Sequence, residues 1–439
     1  MASSLPEGSA GQSHPTISTE SRLLIEAENF KSFRNLRLEL NPFSVLIGPN
    51  ASGKSNVVEL LRFLRDIAES GLADAISLQG GPAFVRNANL GASIPLTIRT
   101  RYVAAETPHM RDVLRLGPGR FALLHEQSYD LTIKFNRRGE GYSVESEDYS
   151  ASFTTAVRKA KRTQRINRAW MTINNTAGRI SSTLRFENPR AAMDADDLMY
   201  VPPAVRRRKI DRTASMWERV STRIPAFGST EPFRYVAIYD IDPKLPKRLL
   251  PVGGRATLDE DGGNLAIVLR KLLARSELKK RFNALITDVL PFAKRMRVDT
   301  VAGKSLLLRM DDNLLSHTSL PASLLSDGTV GVTALVVALF FEEAPFVLIE
   351  EPERNLHPKL IAQIVQIMKQ ASADRYVLVT THSPEVVKHS GLDALVLVQR
   401  DESGFSTVSR ASDSERTRRL LAEDIGIDEL YVQDLLTYK

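Results

Sequence analysis

One short motif constrains this chain more than any other feature of its sequence. Residues 48–55 read G-P-N-A-S-G-K-S and match the phosphate-binding pattern G-x-x-x-x-G-K-[ST]. The motif follows the short apolar segment 43–47 and precedes residues 56–68, where apolar side chains recur at helical spacing. A strand, a glycine-rich turn and a helix N-terminus together aim backbone N–H groups and the positive end of the helix dipole at one point. The sequence therefore predicts an α/β fold that binds a nucleoside triphosphate at this turn.

The residues of this loop have distinct predicted roles. Gly48 and Gly53 allow backbone angles and close approaches that a side chain would block. Lys54 would reach the β- and γ-phosphates, and the Ser55 hydroxyl would bind Mg²⁺. A chance glycine-rich turn is the alternative, and the predicted strand and helix on either side argue against it. The predicted nucleotide-binding residues are Gly48, Pro49, Asn50, Ala51, Ser52, Gly53, Lys54, Ser55 and Asn56.

Two apolar segments further along the chain end in side chains suited to phosphate chemistry. Residues 345–349 lead into Glu350 and Glu351, and a second predicted strand ends just before His382. The helical stretch 359–369 between them predicts a strand–helix–strand unit with parallel strands. Glu350 would hold Mg²⁺, directly or through water, and Glu351 would polarise the attacking water. His382 would sense the γ-phosphate, whereas the alternative for the two glutamates is a simple helix N-cap pair.

A fourth segment, residues 325–329 (L-S-D-G-T), precedes the apolar stretch 330–341. Ser326 or Asp327 can cap the predicted helix, which is the simpler interpretation. In the alternative interpretation this helix N-terminus, with Ser326, Asp327 and Gly328, faces the γ-phosphate held by a second copy of the chain. That alternative predicts a homodimer, or a higher homo-oligomer, joined through its ATP-bound heads.

In this order, the four segments resemble those of the ATP-binding-cassette (ABC) ATPase heads, and more narrowly the RecF/OLD-like branch, the AAA15/AAA21 group. The resemblance implies an ABC-type P-loop sheet with an antiparallel β layer, plus a mainly helical lid or insertion. It also implies ATP and Mg²⁺ as cofactors and hydrolysis of ATP to ADP and phosphate. The common cassette signature has Gly and Gln where this chain has Asp327 and Thr329, and Glu350 replaces the usual Asp. The resemblance is carried by residues 30–34 (F-K-S-F-R), 48–55, 325–328, 350–353 (E-E-P-E), 355–358 (N-L-H-P) and 381–384 (T-H-S-P).

The predicted organisation of the chain has five parts. They are a disordered tail (1–20), a first ATPase lobe with the phosphate loop (21–150), a helical and basic lid (151–300), an ATPase core with the signature helix, the glutamate pair and His382 (301–398), and a C-terminal segment (399–439). Gln79 is a candidate for the glutamine-loop residue of the family. Apolar residues between 420 and 436 have amphipathic helical spacing, which suits either a partner surface or packing on the core.

Composition narrows the classes of partner. The net charge of +7 favours polyanions. Basic clusters at 158–168 and 206–212, each followed by a tryptophan, suit DNA or another nucleic acid, or simply a solvated lid surface. The chain has no cysteine, which fits a reducing compartment, and no apolar run of about 18 residues that could span a membrane. We expect a cytoplasmic protein without a membrane partner.

Function divides into three hypotheses. OLD-like proteins usually carry a Toprim nuclease after the ATPase, and residues 391–439 are too few for one, so a nuclease would act in trans. Standalone ATPases of this family resemble the ATPase subunits of two-gene antiphage systems, such as PARIS-like and Septu-like systems. The resemblance therefore implies a nucleotide-dependent clamp or sensor that controls a separate effector, most simply a nuclease, in antiphage defence. A RecF/SMC-like ATPase of DNA repair or chromosome maintenance is the alternative. A transporter motor fits less well, because transporter heads carry an Asp-Glu pair and have no counterpart of residues 151–255.

Overall fold

A computed structural model describes most of the chain. The described residues are 22–104, 113–117, 120–136, 140–159, 162–188, 209–216, 236–313, 319–423, 425–433 and 435–436, with residues 113–117, 120, 158, 159 and 162–166 described for their backbone only. The predicted N-terminal tail lies outside these residues.

In the described part of the chain, an initial β hairpin and a third strand are followed by three helices, a run of eight strands, and then helices mixed with strands. The strands are β1 (Arg22–Phe30), β2 (Phe33–Leu40), β3 (Phe43–Ile47), β4 (Leu96–Val103), β5 (Val113–Gly117), β6 (Arg120–Phe135), β7 (Tyr142–Lys159), β8 (Arg162–Thr176), β9 (Arg179–Phe186), β10 (Val236–Tyr239), β11 (Leu250–Pro251), β12 (Ala293–Val301), β13 (Ser305–Asp312), β14 (Ser319–Pro321), β15 (Phe346–Glu350), β16 (Tyr376–Thr380), β17 (Leu395–Arg400) and β18 (Ser406–Arg410). The α-helices are α1 (Lys54–Ser70), α2 (Leu72–Leu78), α3 (Pro82–Val85), α4 (Leu265–Leu273), α5 (Ser276–Val289), α6 (Asp327–Phe340), α7 (Pro358–Ala371), α8 (Pro384–Ser390), α9 (Glu415–Ala422) and α10 (Ile427–Val432).

The central layer is a mostly parallel sheet. In the described part of the chain its strand order is β10-β15-β16-β3-β17-β18, and only β18 runs antiparallel to its neighbour. Strands β3 and β16 are buried at every residue, as expected for strands covered on both faces. The predicted parallel arrangement is confirmed, but β16, not β15, lies directly beside β3. The carboxyl ends of β3, β16 and β15 therefore meet at one edge of the sheet.

The two faces of this sheet are covered by different layers. On one face, α1 packs through Val57, Leu60 and Leu61 into a core shared with an antiparallel sheet of order β2-β1-β4-β6-β7-β8-β9, to which β5 adds beside β6. On the other face, helices α4 to α8 form a second core together with the small sheet β11-β13-β12 and β14. The predicted fold class, a P-loop α/β sheet with an antiparallel β layer, is confirmed. None of the helices in the described ranges is long and apolar enough to cross a bilayer.

The expectation of a mainly helical lid over residues 151–300 is wrong for the described part of that range. Strands β7, β8 and β9 carry the antiparallel sheet through Phe186, and within the range only residues 265–289 form long helices. Alternating burial along the described side chains of β7 and β8 shows a period of two, which is typical of strands with one buried face. Strands β7, β12 and β17 also run across the predicted boundaries at 150, 300 and 398.

A buried carboxylate holds the antiparallel sheet to the segment 209–216. Glu147 on β7 is fully buried, and its Oε1 accepts hydrogen bonds from the hydroxyls of Tyr129 (2.9 Å) and Ser215. Its Oε2 accepts the amide of Asn175 (3.2 Å) and the backbone N–H of Met216 (2.6 Å). Burial raises the pKa of Glu147, and the four donors act in the opposite direction. A carboxylate fits here because every partner is a donor.

This arrangement predicts that Glu147→Gln destabilises the fold. The glutamine NH₂ would face donors that it cannot satisfy, so we expect a loss of about 1–3 kcal/mol in the free energy of unfolding, measured by urea denaturation. Glu145→Gln on the same strand is the matched control, because the Glu145 side chain is 40% exposed and, among the described residues, forms an ion pair with Lys134. That change should cost less than about 1 kcal/mol. Equal effects of the two substitutions would show that the Glu147 network does not hold the sheet.

Candidate functional site

The predicted phosphate loop forms the turn between β3 and α1. Gly53 is the N-cap of α1 at φ +118°, and no side chain caps the helix or places a negative charge in its first turn. A Cβ on Gly48 would lie 2.0 Å from the carbonyl oxygen of Val398, and a Cβ on Gly53 would lie 2.3 Å from Oγ of Ser406. Both glycines are therefore required by close packing against the β17–β18 hairpin. The helix N-terminus is left open toward an anion.

One cavity brings the predicted loop, glutamates and histidine together. It measures about 230 Å³ and is lined by Asn50, Ala51, Ser52, Gly53, Lys54, Ser55, Asn56, Glu350, Glu351, Thr380, His382 and Arg400. The pairing of the parallel strands explains why these residues converge. Glu350 pairs with Thr380, and Thr380 pairs with Leu46, which lies two residues before the loop. Of the loop residues predicted to bind nucleotide, only Gly48 and Pro49 do not line this cavity.

Glu351 enters the cavity from a strained backbone, and its two carboxylate oxygens face different side chains. Its φ of +42° is unusual for a residue with a side chain, and its N–H donates to the carbonyl of Thr380 (2.9 Å). Oε2 accepts a hydrogen bond from Nε of Arg354 (2.8 Å), and Oε1 lies 3.5 Å from Nε2 of His382. Arg354 in turn donates to Asp240 (2.5 Å) just after β10. The orientation of this carboxylate therefore depends on side chains from three segments.

A second carboxylate, Glu353, supports the turn that carries His382. The Thr381 hydroxyl donates to Oε1 of Glu353 (2.5 Å), and Thr381 Oγ1 accepts the N–H of Ser383 (2.9 Å). Burial raises the pKa of Glu353. These bonds fix the positions of Thr381 and Ser383. Because His382 lies between them, Glu353 is a positioning residue for the histidine.

Burial disfavours the charged forms of Lys54, His382 and Glu350 in the cavity. It lowers the pKa of Lys54 to about 8, with nearby Glu351 acting in the opposite direction. It lowers the pKa of His382, and the charge of Lys54 acts in the same direction. It raises the pKa of Glu350, as does Asp240. Lys54 Nζ donates to the carbonyls of Gly48 (2.6 Å) and Pro49 (3.0 Å), so the loop backbone itself orients the amine.

Ser55 and Glu350 suit a magnesium ion. Both line the cavity and offer only oxygen, which Mg²⁺ prefers, and Mg²⁺ commonly binds through one or two protein oxygens plus phosphate. Across the described part of the chain, the Glu350 carboxylate makes no hydrogen bond or salt bridge to another side chain. No group of three or more His, Asp or Glu in the described ranges could hold a metal alone. The donor set therefore fits a nucleotide-bound Mg²⁺.

The signature segment lies apart from this cavity. Ser326 is exposed and is the N-cap of α6, where its Oγ accepts the N–H of Thr329 (3.1 Å). Lys247 donates to Asp327 (2.5 Å) and fixes the turn. Gly328 packs against the carbonyl of Asn355, 2.9 Å from where a Cβ would be. The capping interpretation is confirmed, and none of Ser326, Asp327 and Gly328 lines the phosphate-loop cavity of its own chain.

Other candidates from the sequence fall elsewhere. Gln79 is buried at the end of α2 and does not line the cavity. In the basic clusters, Arg168 is exposed and lies over the Trp170 ring at 5.4 Å, whereas residues 206–208 and Trp217 lie outside the described part. The apolar stripe near the C-terminus packs on the chain's own core, where Leu430 and Leu436 are buried, so core packing is confirmed as its main role.

Sequence reasoning missed four residues of the site. Arg354 and Asp240 restrain Glu351, and Arg400 and Ser406 contact the loop backbone. Arg354 lies three residues after Glu351, a spacing that could have signalled an ion pair. The other three are far from the motifs along the chain, and only the sheet brings them near.

Comparison with known proteins identifies the family. The chain belongs to the AAA_21 family, described as "AAA domain, putative AbiEii toxin, Type IV TA system", which matches residues 147–388, more than half of its length. The AAA_15 family, an AAA ATPase domain, matches residues 24–189. The loop, glutamates and histidine of the cavity described above therefore lie within AAA-type domain matches.

Individual relatives are more distant. The chromosome partition protein Smc of Methanocaldococcus jannaschii is 49% identical over 41 residues, which are 9% of this chain and only 4% of that protein. A solved SmcHead bound to the C-winged helix domain of ScpA is 12% identical, with a TM-score of 0.44 over 88% of this chain and 96% of that one. The SMC head domain from Thermotoga maritima is 12% identical, with a TM-score of 0.37 over 90% and 99%. The fold assignment therefore rests on the strands and helices themselves.

The buried ammonium of Lys54 predicts a pH dependence of nucleotide affinity. Because the pKa of Lys54 is lowered to about 8, its charge is present at lower pH and is lost as the pH rises through that value. We expect the dissociation constant for MgATP to increase about tenfold from about pH 7 to about pH 9, measured by calorimetric titration. Lys54→Arg, which stays charged, should bind more weakly throughout but without this increase. A constant affinity of the wild type over the range would contradict the assignment.

Proposed function

We propose that this chain is an ATP-hydrolysing ATPase whose nucleotide state controls a second protein. The observation that carries the first part is the shared cavity, since residues 50–56, Glu350, Glu351 and His382 converge there from three separate stretches of sequence. Membership of an AAA ATPase family supports the same activity.

In this proposal, each side chain has one task. The loop N–H groups and Lys54 bind the β- and γ-phosphates, because buried cations and a helix N-terminus stabilise phosphate charge. Ser55 and Glu350 hold Mg²⁺, which neutralises developing charge on the phosphates. Glu351, oriented by Arg354, accepts the proton of the attacking water. His382, whose lowered pKa favours the neutral imidazole, contacts the γ-phosphate.

Separate substitutions test binding and hydrolysis. Lys54→Ala should abolish MgATP binding, because it removes the cation next to the phosphates. Glu351→Gln should retain binding and slow turnover about a hundredfold or more, as expected for loss of a general base. Glu385→Gln, which changes a partly exposed glutamate on α8, is the control and should leave the rate of phosphate release unaltered. Unchanged turnover by Glu351→Gln would remove that residue from the proposal.

We further propose that the active unit is a pair of chains. At the N-terminus of α6, Ser326 is exposed, Asp327 is half-buried and Gly328 is buried, and none of the three lines its own chain's cavity. The first N–H groups of a helix have no partner within the helix. In the pair, this N-terminus contacts the γ-phosphate bound by the other chain, which makes the heads associate only when ATP is present.

Mixing variants tests this composite site. Lys54→Ala and Ser326→Arg should each be inactive alone. Every site of the first dimer lacks the loop lysine, and every site of the second lacks a functional signature segment. An equal mixture should recover about a quarter of wild-type activity, since half of the randomly formed dimers contain one intact site. Full activity of wild-type chains at dilutions where sedimentation shows monomers would rule out the composite site.

The second protein is a nuclease-type effector in antiphage defence. The family description names a putative toxin and a type IV toxin–antitoxin system, which supports a two-component arrangement. Physically, an ATPase head changes only its shape and its association with nucleotide, so another protein must respond to that change. DNA repair or chromosome maintenance is the alternative, favoured by the short Smc similarity.

Co-expression with the product of the neighbouring gene distinguishes these roles. We expect that protein to co-purify with the chain. The efficiency of phage plating should fall on cells that express the wild-type pair, but not on cells that express Lys54→Ala with the same second protein. The Glu385→Gln pair should protect as well as the wild type does. Absence of a bound protein, together with DNA-damage sensitivity and unchanged phage resistance in a deletion strain, would favour repair instead.

A further inference from the structure

The cavity contains a cation that the proposed roles leave unused. Arg400 is the last residue of β17, and β17 runs parallel to β3 with Leu397 paired to Ile47. The carboxyl ends of the two strands therefore lie side by side, and Arg400 lines the cavity together with Ala51 and the rest of the loop.

Backbone carbonyls hold the Arg400 side chain in place. Its Nε donates to the carbonyl of Ala51 (2.7 Å), and its Nη1 donates to the carbonyl of Gly404 (2.6 Å) in the β17–β18 turn. Two bonds at fixed angles orient the planar guanidinium, which still has N–H groups on Nη2. These neutral partners orient the charge but do not neutralise it.

Three other arginines near the site, Arg354, Arg62 and Arg65, have acidic partners. Arg354 pairs with Glu351 and Asp240, and Arg62 and Arg65 both pair with Glu260. By contrast, no carboxylate lies within salt-bridge distance of Arg400 in the described part of the chain. An oriented, unpaired guanidinium in the wall of a phosphate-sized cavity is suited to a phosphate oxygen, to which arginine makes strong charge-assisted hydrogen bonds.

We infer that Arg400 is a further nucleotide-binding residue, whose guanidinium binds the phosphate chain of a nucleoside di- or triphosphate while its Nε holds the loop. This inference rests on the proposed function of the cavity as an ATP site. It gives β17 a direct part in binding the ligand, in addition to its place in the sheet.

A purely supporting role for Arg400 is the competing explanation. The same hairpin already supports the loop through Ser406, whose Oγ lies 2.5 Å from the Ser52 carbonyl and 2.7 Å from Ser32 Oγ. If Arg400 only supports the loop, the affinity for MgATP depends on a hydrogen-bond donor near Ala51. If Arg400 binds phosphate, the affinity for MgATP depends on the positive charge of its side chain.

Two substitutions separate donor from charge. Arg400→Gln keeps an N–H donor and removes the charge, whereas Arg400→Lys keeps the charge. We expect Arg400→Gln to weaken MgATP binding about tenfold or more in calorimetric titration, and Arg400→Lys to retain most of the affinity. The matched control is Arg410→Gln on β18, where the arginine donates to the Glu39 carbonyl (2.6 Å) and does not line the cavity. This control should bind MgATP as the wild type does.

A chemical measurement on the unaltered protein gives an independent answer. Phenylglyoxal modifies exposed arginines, and peptide mass spectrometry can follow Arg400 and Arg410 separately. MgATP should protect Arg400 but not Arg410, and adenosine should protect neither.

The outcomes are distinguishable. Equal affinities of the wild type, Arg400→Gln and Arg400→Lys, or equal weakening by both substitutions, would overturn the phosphate contact while leaving the ATP site intact. So would modification of Arg400 at the same rate with and without MgATP. Failure of the wild type to bind MgATP would instead overturn the proposed function, and this inference with it.

Discussion

Contact between the phosphate loop and the β17–β18 hairpin is the constraint on which the rest of the site depends. The backbone of the loop passes so close to Val398 and Ser406 that neither Gly48 nor Gly53 could carry a side chain. Arg400 and Ser406 bond directly to loop carbonyls. A loop that short would not hold its N–H groups toward one point without this support, because glycine adds conformational freedom. Residues more than three hundred positions apart along the chain therefore shape one loop.

Burial of charge is the second determinant of the site. The cavity lowers the pKa values of Lys54 and His382 and raises that of Glu350, so it disfavours charges of both signs. A phosphate chain next to the lysine and a divalent cation next to the glutamate would each restore the charged form. In the proposed function, the electrostatics of this one small space would couple nucleotide binding to metal binding.

The sequence predicted the parts of this molecule whose signals are local. The loop motif, strand β3, helix α1 and the helix that follows the signature segment all lie where spacing and glycine positions indicated. Strands β8 and β9, and the part of β7 after residue 150, were missed, since their alternation of buried and exposed residues is visible only once burial is known. Arg400 and Asp240 could not be found at all, because neither has a motif and only sheet pairing places them at the site. Local sequence patterns do not specify which distant strands pair or in what register.

The most direct test of this account is a crystal structure of Glu351→Gln with bound ATP and Mg²⁺. We expect the phosphates to lie against the N–H groups of residues 50–56 with Lys54 Nζ within hydrogen-bond distance, and the metal to contact Ser55. ATP bound elsewhere would contradict the account, for example in the larger cavity of about 940 Å³ lined by Arg62, Arg65 and Glu260.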